Sequence, residues 1–176
     1  KTLYVALSEE NAIAMVDVAS LETIGKLQAG EDPETFDIHP NGNLYLSNED
    51  DAKATVINPT TGKIIHEIKV GLEPEGVAVS PSGDTVLVTS ESMNMVHIID
   101  TSTHKIVANV LVAARPRGLA FNSDGSLAYV SSEIGNEVAI IDMTTHKLIK
   151  KVKIDLEKSK PMALVLSPDD KVIYMT

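Results

Sequence analysis

The chain lacks cysteine and tryptophan and has few aromatic residues of any kind. None of its 176 residues is Cys or Trp, and Phe, Trp and Tyr together make up 3%. Without Cys the chain can form no disulfide, thiolate metal site, thiol nucleophile or haem linked through a Cys-containing motif. Packing of apolar side chains must therefore stabilise the fold. The absence of Cys suits an oxidising compartment but does not prove one.

Long apolar runs and an excess of positive charge are also missing. Polar residues interrupt each apolar run after a handful of positions, well short of the ~18 to 20 residues that a membrane span needs, so no membrane span is predicted. The chain has 15 Lys and Arg against 25 Asp and Glu, a formal net charge of −10. This balance argues against nonspecific nucleic-acid binding, which requires neutralisation of phosphates. A hydrophobic fraction of 43% is typical of a globular domain.

What the sequence does have is a repeat of about 42 residues. All four tyrosines fall in one recurring position, which Leu87 fills in the remaining copy, at intervals of 41, 42, 42 and 45. Two further series share this spacing, and they consist of Pro33, Pro74, Pro116 and Pro161, and of Asp17, Asn58, Asp100 and Asp142. The longer last interval predicts a three-residue insertion around 155–160. A fixed period of this length indicates stacked supersecondary units.

Each period contains four short runs rich in β-branched residues, separated by turn residues such as Ser80-Pro81-Ser82-Gly83. Four strands per ~42 residues is the unit of a β-propeller, so we predict an all-β fold in a single domain or part of one. Because neighbouring blades bury both faces of a sheet, successive residues such as Val138 to Ile141 are all apolar. The predicted repeats are approximately 1–42, 43–83, 84–125 and 126–170, with 171–176 beginning the next.

The repeats resemble those of the YVTN-type β-propeller family. Tyr129-Val130 matches the dipeptide that gives the family its name, Asn136 matches its following Asn, and Ile141-Asp142 matches its VID segment. The segment 116–125 is close to the family's P-x-G-[IVL]-A-[VF]-S-P-D-G pattern, from which other copies depart at Thr35 and Asp170. The resemblance implies a ring of about seven blades, of which four repeats and one surplus strand would be visible.

The surplus strand, 172–176, bears on how the ring closes. If the Pro161 to Ser167 strand paired with the Leu3 strand, the surplus strand would compete for the same place, so a closed four-bladed ring is not expected. The chain is therefore interpreted as part of a longer one. If the molecule really ends at Thr176, we expect it to self-associate, because open blade faces and strand edges invite association.

The resemblance also makes the strand after each repeated Pro the innermost one, so the residues flanking Pro should form a ring at one mouth of the channel. Two adjacent blades offer carboxylates there and the next two offer cations, which predicts a dipolar rim for a polar ligand or a charged partner. Arg115 and Arg117 are candidates to bind a carboxylate or phosphate in a fork. An alternative is that these charges simply pair with one another. The predicted ligand-binding residues are Asp32, Glu34, Glu73, Glu75, Arg115, Arg117 and Lys160.

The five histidines are not expected to converge on a metal. His104 and His146 repeat because a hairpin turn repeats, and blades hold equivalent positions far apart. His39 is the remaining candidate ligand, since it replaces a recurring Ser near the inner strand. No cofactor is predicted in this segment, and no nucleophile elbow, phosphate-binding loop or zinc-protease motif occurs.

Three functions stay open. The first is a non-catalytic binding or scaffold propeller of a bacterial or archaeal envelope. The family resemblance is strongest to periplasmic proteins associated with PQQ-dependent alcohol oxidation, and it extends to surface-layer proteins. A periplasmic or cell-surface location follows from that resemblance, with the signal peptide absent from this chain. The second is a subunit of a quinone- or haem-linked oxidoreductase, and the third is single-stranded nucleic-acid binding, for which the chain offers few aromatic platforms.

Overall fold

The structure, a computed structural model, describes residues 1–155 and 159–176. Within these residues the chain forms strands throughout, apart from turns, loops and one 3₁₀ turn at Ser8–Glu10. The strands are β1 (Thr2–Leu7), β2 (Ala12–Asp17), β3 (Thr23–Gln28), β4 (Pro33–Ile38), β5 (Leu44–Asn48), β6 (Lys53–Asn58), β7 (Lys63–Lys69), β8 (Pro74–Val79), β9 (Thr85–Ser90), β10 (Met95–Asp100), β11 (Lys105–Leu111), β12 (Pro116–Phe121), β13 (Leu127–Ser132), β14 (Glu137–Asp142), β15 (Lys147–Lys153), β16 (Leu164–Leu166) and β17 (Ile173–Met175). None of the described residues forms a helix long and apolar enough to cross a membrane.

The strands form antiparallel sheets in simple meander order. Three sheets have four strands each, namely β4 to β7, β8 to β11 and β12 to β15, while β1 to β3 and β16 to β17 form a three-stranded and a two-stranded sheet. The first strands of successive sheets pack against one another, β4 against β8, β8 against β12 and β12 against β16. Four-stranded sheets arranged around their first strands are the architecture of a β-propeller, so the predicted fold class is confirmed.

The strand that follows each repeated Pro is the innermost one, as predicted. β4, β8 and β12 begin at Pro33, Pro74 and Pro116 and lie at one edge of their sheets. The predicted surplus strand is β17, which pairs with β16 through Leu164 opposite Met175 rather than leaving β16 free for β1. The predicted insertion at 155–160 lies partly outside the described residues.

The hydrophobic core lies between successive sheets. One cluster joins Leu87, Val96 and Ile98 of one sheet to Val130 and Ile141 of the next, and all five are fully buried. Equivalent clusters fill the two preceding gaps between sheets. Full burial of each such side chain contributes about 1.5–3 kcal/mol. Burial of both sheet faces explains why inside and outside residues do not alternate cleanly in the sequence.

A repeated hydroxyl holds neighbouring inner strands together. Pairing of β8 with β9 is interrupted between Pro74 and Val77, and there the Thr89 hydroxyl accepts a hydrogen bond from Gly76 N–H at 2.7 Å. The same hydroxyl donates to the Arg117 carbonyl of the next blade at 3.2 Å. That carbonyl approaches so closely that a Cβ on Gly76 would lie 2.0 Å from it, so Gly is required. Ser47 and Ser131 repeat the arrangement.

The predicted turns between the first and second strands of each blade are also confirmed. Gly42, Gly83 and Gly125 adopt φ of 89°, 84° and 74°, the left-handed region that glycine enters at no steric cost. Asp170 takes the same position in the last copy, with φ of 59°. Asp tolerates this conformation better than most residues, so the turn keeps its shape without Gly.

Candidate functional site

The loops at one end of the inner strands form the channel mouth, and their geometry repeats from blade to blade. Asp32, Glu73 and Arg115 directly precede the repeated prolines and adopt φ of 51°, 51° and 61°. This left-handed turn aims the backbone carbonyl of each residue at the loop after the second strand. There Glu49 N–H donates to Asp32 O at 2.9 Å, and Glu91 N–H donates to Glu73 O at 2.8 Å. The loop residues before each Pro are therefore fixed by the fold.

The partners in these hydrogen bonds are a series of glutamates that the sequence analysis missed. Glu49, Glu91 and Glu133 lie 42 residues apart, directly after β5, β9 and β13. Each also follows the Tyr position by four residues, so the period itself is the signal that could have found them. The series adds one carboxylate to the mouth in each complete blade.

Arg117 is the centre of an ion-pair network that spans blades. Its guanidinium pairs with Glu75, lies 3.0 Å from Oε2 of Glu91 through Nη2, and lies 3.2 Å from Oε2 of Glu133 through Nε. Arg115 pairs with Glu91 and lies 3.3 Å from Oε2 of Glu133. Both arginines are therefore engaged by carboxylates of this chain. Charge-assisted hydrogen bonds of this kind are about twice as strong as neutral ones.

The predicted separation of charge by blade persists, but one carboxylate joins the basic side. Glu91 adds a carboxylate to a blade that was expected to be acidic. Glu133 adds one to a blade that was expected to be basic, where it is contacted by both arginines and lies 3.5 Å from Lys160 Nζ. Among residues 1–155 and 159–176, seven carboxylates now stand against three cations at the mouth. The carboxylates are those of Asp32, Glu34, Glu49, Glu73, Glu75, Glu91 and Glu133, and the cations are Arg115, Arg117 and Lys160. The rim therefore has an excess of carboxylates, six of which belong to the blades β4 to β7 and β8 to β11.

Three of the carboxylates form a close group on one side of the mouth. Asp32, Glu34 and Glu49 each place a carboxylate oxygen within 4.8 Å of the others. Burial raises the pKa of Glu34, and the neighbouring Asp32 charge raises it further. Burial likewise raises the pKa of Glu49, with Glu34 and Asp32 adding to the effect. A cation placed among these oxygens would relieve their repulsion, and oxygen ligands of this type suit hard cations and ammonium groups.

Glu75 has the most perturbed carboxyl group of the mouth. Burial raises its pKa to about 7, the Arg117 charge opposes this rise, and Glu34 and Glu91 add to it. Glu133 behaves oppositely, because Arg117, Arg115 and Lys160 outweigh its burial and hold its pKa below the usual value. The pKa values of these two carboxyl groups beside Arg117 are therefore shifted in opposite directions. Glu75 is the one of the two that titrates near neutral pH.

Glu75 and Arg117 border a cavity of about 380 Å³ that runs along the inner strands. Its walls include the apolar side chains of Phe36, Val77 and Leu119. The volume falls within the range of small-ligand sites, and a mostly apolar lining with a few charged groups at one end is typical of them. The channel could accept an apolar body behind a charged head group.

Two histidines of different blades lie in contact, contrary to the expectation that the histidines stay apart, and His39 has a structural role. His66 of β7 and His104 of the β10–β11 turn do converge, with stacked rings whose centroids are 3.6 Å apart, because an outer strand meets the hairpin turn of the next blade. His104 Nδ1 also lies 3.4 Å from the Tyr45 hydroxyl. His39, the candidate metal ligand, has both ring nitrogens engaged, since Nδ1 accepts from Asn41 N–H at 3.1 Å and Nε2 lies 2.7 Å from the Gly83 carbonyl.

Comparison with known proteins supports the fold but does not assign the chain to a family. No family model matches the chain. A solved structure, Kuenenia stuttgartiensis hydrazine synthase, matches 98% of this chain and 51% of that chain, with a TM-score of 0.88 and 25% identity. Over 50 residues the chain is 40% identical to the PE-PGRS family protein PE_PGRS18 of Mycobacterium tuberculosis (strain ATCC 25618 / H37Rv), covering 28% of this chain and 11% of that protein. The chain thus spans half the length of the solved structure, and the YVTN resemblance stays a prediction.

Proposed function

We propose that this propeller is a non-catalytic binding module whose channel mouth recognises a cationic group of a partner protein or polar ligand. The observation that carries the proposal is the excess of carboxylates at the mouth, concentrated in Asp32, Glu34 and Glu49. A cation entering this group would stabilise the charged forms of Glu34 and Glu49, whose pKa values are raised in its absence. Part of the binding free energy would come from the reduced repulsion among these carboxylates.

The engagement of the arginines supports a cation over an anion. Arg117 already contacts Glu75, Glu91 and Glu133, so an incoming carboxylate or phosphate would have to displace one of them and leave it unpaired. Leaving a partly buried charge unpaired is costly, by several kcal/mol in typical cases. The fork proposed for Arg115 and Arg117 is thus already filled by residues of this chain.

The cavity behind the mouth supports a ligand group with an apolar stem. Phe36, Val77 and Leu119 line it, and Glu75 stands at the charged end. A lysine side chain, or an alkyl amine of similar length, combines a methylene stem with a charged head. Such a group would place its stem against the apolar walls and its head among the carboxylates.

The test uses an eight-residue peptide of alternating lysine and serine, the lysine–serine peptide, titrated into the protein by calorimetry at low ionic strength. We expect binding to the wild type and a loss of about tenfold or more, roughly 1.4 kcal/mol, in the variant Glu34→Gln/Glu49→Gln. The exposed Glu22 directly precedes β3, at the opposite end of that strand from the loop that carries Asp32. It gives the matched control Glu22→Gln, which should change the affinity by less than twofold. Equal affinity of all three proteins, or no binding, would refute the proposal.

An enzyme subunit is the second candidate. The chain shares its fold with the matched hydrazine synthase, so this architecture occurs within an enzyme. In a quinone- or haem-linked oxidoreductase, Glu34, Glu75, Arg115 and Arg117 would orient a substrate or cofactor. A visible absorption band in the protein purified from its source would support this alternative. Single-stranded nucleic-acid binding is the weakest candidate, because an acidic mouth repels phosphates.

The cellular setting is part of the proposal and rests on the family resemblance. By resemblance to YVTN-type propellers of the periplasm and cell surface, we propose an envelope location. Within that location, the protein would be accessory to quinoprotein dehydrogenases. Fractionation of cells that express the full gene tests the location. Recovery in the cytosolic fraction would contradict it.

A further inference from the structure

Large apolar side chains stand exposed on the same face as the acidic mouth. Leu72 immediately precedes Glu73 and is 62% exposed, while Met93 follows Glu91 by two residues and is 41% exposed. Ile134 directly follows Glu133 and is 62% exposed. Single exposed apolar residues are ordinary on protein surfaces, but an exposed apolar patch with a polar border marks an interaction site.

The loops that carry these side chains are neighbours along the mouth. The Met93 sulfur is 2.7 Å from where a Cβ on Gly71 would be, so Met93 packs over the backbone next to Leu72. Ile134 lines a depression of about 280 Å³ together with Ser92, the neighbour of Met93, and Ala114. We call Leu72, Met93 and Ile134 the apolar patch. Met is enriched at the centres of protein interfaces, where a rim of polar residues surrounds apolar side chains.

The charged side chains beside the patch are those of the mouth. Glu91 and Arg115 line the same depression as Ile134. On the opposite side of the mouth, Asp32 lines a second, polar depression of about 330 Å³ with Glu9 and Asp50. One face of the propeller therefore presents an apolar patch on its third and fourth sheets and an acidic region on its first and second.

We propose that this face docks a polypeptide segment of a partner protein that carries both basic and large apolar side chains. Its basic residues would contact Asp32, Glu34 and Glu49, and its apolar residues would cover the apolar patch. The inference rests on the proposed function and narrows its ligand to a peptide. Charge complementarity favours this occupant, since a face whose described mouth residues include seven carboxylates and three cations repels a second copy of a chain whose net charge is −10.

Two peptides of equal charge separate the apolar contribution from the electrostatic one. The lysine–leucine peptide differs from the lysine–serine peptide only in that leucine replaces two of its four serines. We expect wild-type protein to bind the lysine–leucine peptide about tenfold more tightly, as measured by fluorescence anisotropy. Tenfold corresponds to ~1.4 kcal/mol, well within what two partly buried leucines contribute.

The variant Leu72→Ser/Ile134→Ser should remove that preference and leave the affinity for the lysine–serine peptide unchanged. Ile24 on β3 is 58% exposed and supplies the matched control Ile24→Ser, which should keep the preference in full. All three side chains are exposed, so the variants should fold, and a thermal unfolding scan verifies this.

The outcomes distinguish this inference from the proposed function. If both peptides bind equally well to the wild type, or if Ile24→Ser removes the preference as much as Leu72→Ser/Ile134→Ser does, the apolar patch is not a docking site, while recognition of cations at the mouth is unaffected. If neither peptide binds, the proposed function and this inference both fail.

Discussion

Glu75 and Arg117 lie 42 residues apart, hold equivalent positions of neighbouring blades, and form an ion pair across the gap between those blades. The pairing follows from the repeat, because the same loop in successive blades places its side chains around one channel. A carboxylate in one copy and a guanidinium in the next therefore meet without any local sequence relationship. The relation ties the stability of the inner strands to the charge of the mouth.

Replacement of Arg117 should be strongly destabilising. In Arg117→Met the carboxylates of Glu75, Glu91 and Glu133 each lose an ion-pair partner, and breaking a buried ion pair from one side costs about 3–5 kcal/mol. Because the side chain is 17% exposed, we expect the lower part of that range in urea unfolding. Arg117→Lys should restore part of the loss. A change below about 1 kcal/mol for Arg117→Met would show that the network contributes little.

Glu75→Gln should alter the pH dependence of stability in a defined direction. The pKa of Glu75 is raised from 4.5 to about 7, so the unfolded chain ionises first as the pH rises. The wild type therefore loses stability between about pH 4.5 and pH 7, a loss that Gln cannot suffer. The free energy of unfolding of Glu75→Gln, relative to wild type, should increase across that window and level off above it. A difference that stays constant from pH 4.5 to 8 would contradict the structure.

Ala52→Asn should stabilise the protein. Ala52 adopts φ of 51° at the position that Asn11, Asn94 and Asn136 fill in other blades with φ of 50° to 54°. Asn tolerates this left-handed conformation at lower cost than Ala. Asn11 and Asn94 also accept hydrogen bonds through Oδ1 from the backbone of the next blade, at 2.9 and 3.1 Å.

The expected gain for Ala52→Asn is about 1 kcal/mol in urea unfolding. Ala52→Gly serves as the control, because it supplies the backbone freedom without the side-chain hydrogen bond, and it should give less than Asn. Destabilisation by Ala52→Asn would mean that the second blade differs from the others at this loop.

His104→Asn should reduce the sensitivity of stability to mild acid. Burial lowers the pKa of His104, and the nearby His66 and His39 lower it further, against the opposing charge of Asp100. Folding therefore favours neutral His104, and stability is lost as the pH falls below about 6.5, where the unfolded chain protonates first. Burial also lowers the pKa of His97, so part of the slope should remain.

The matched control for that variant is His146→Asn. His146 occupies the equivalent turn in the next blade, with φ of 55° against 53° for His104, so both substitutions place Asn in the same backbone conformation. Urea midpoints at pH 5, 6, 7 and 8 should show a shallower slope for His104→Asn alone. Equal slopes for both variants would show that the His66 and His104 contact does not govern the response.

The fold could be predicted from the sequence because its signals are periodic. The Pro74 series recurs in every copy and the Tyr45 series in all but one, where Leu87 replaces Tyr, so each copy supports the strand order of the others. The turn at Gly83 and the innermost strand after Pro74 followed from the same period, and both are confirmed.

The site was less predictable because its residues meet only in three dimensions. The residues flanking Pro were predicted from the repeat. The charge balance of the mouth also depends on Glu49, Glu91 and Glu133, which lie in the loop after the second strand of each blade. Likewise, the stacking of His66 on His104 requires an outer strand to meet the turn of the next blade. No spacing along the chain encodes that contact.

The most direct test of cation recognition at the channel mouth is a map of where the lysine–serine peptide binds. Backbone amide shifts of the labelled protein should change on titration at 31, 32 and 34, and at 49–51, 91–93 and 133–134, and Glu34→Gln/Glu49→Gln should weaken those changes. Shift changes confined to the outer strands β7, β11 and β15, or absent throughout, would contradict recognition of cations at the channel mouth.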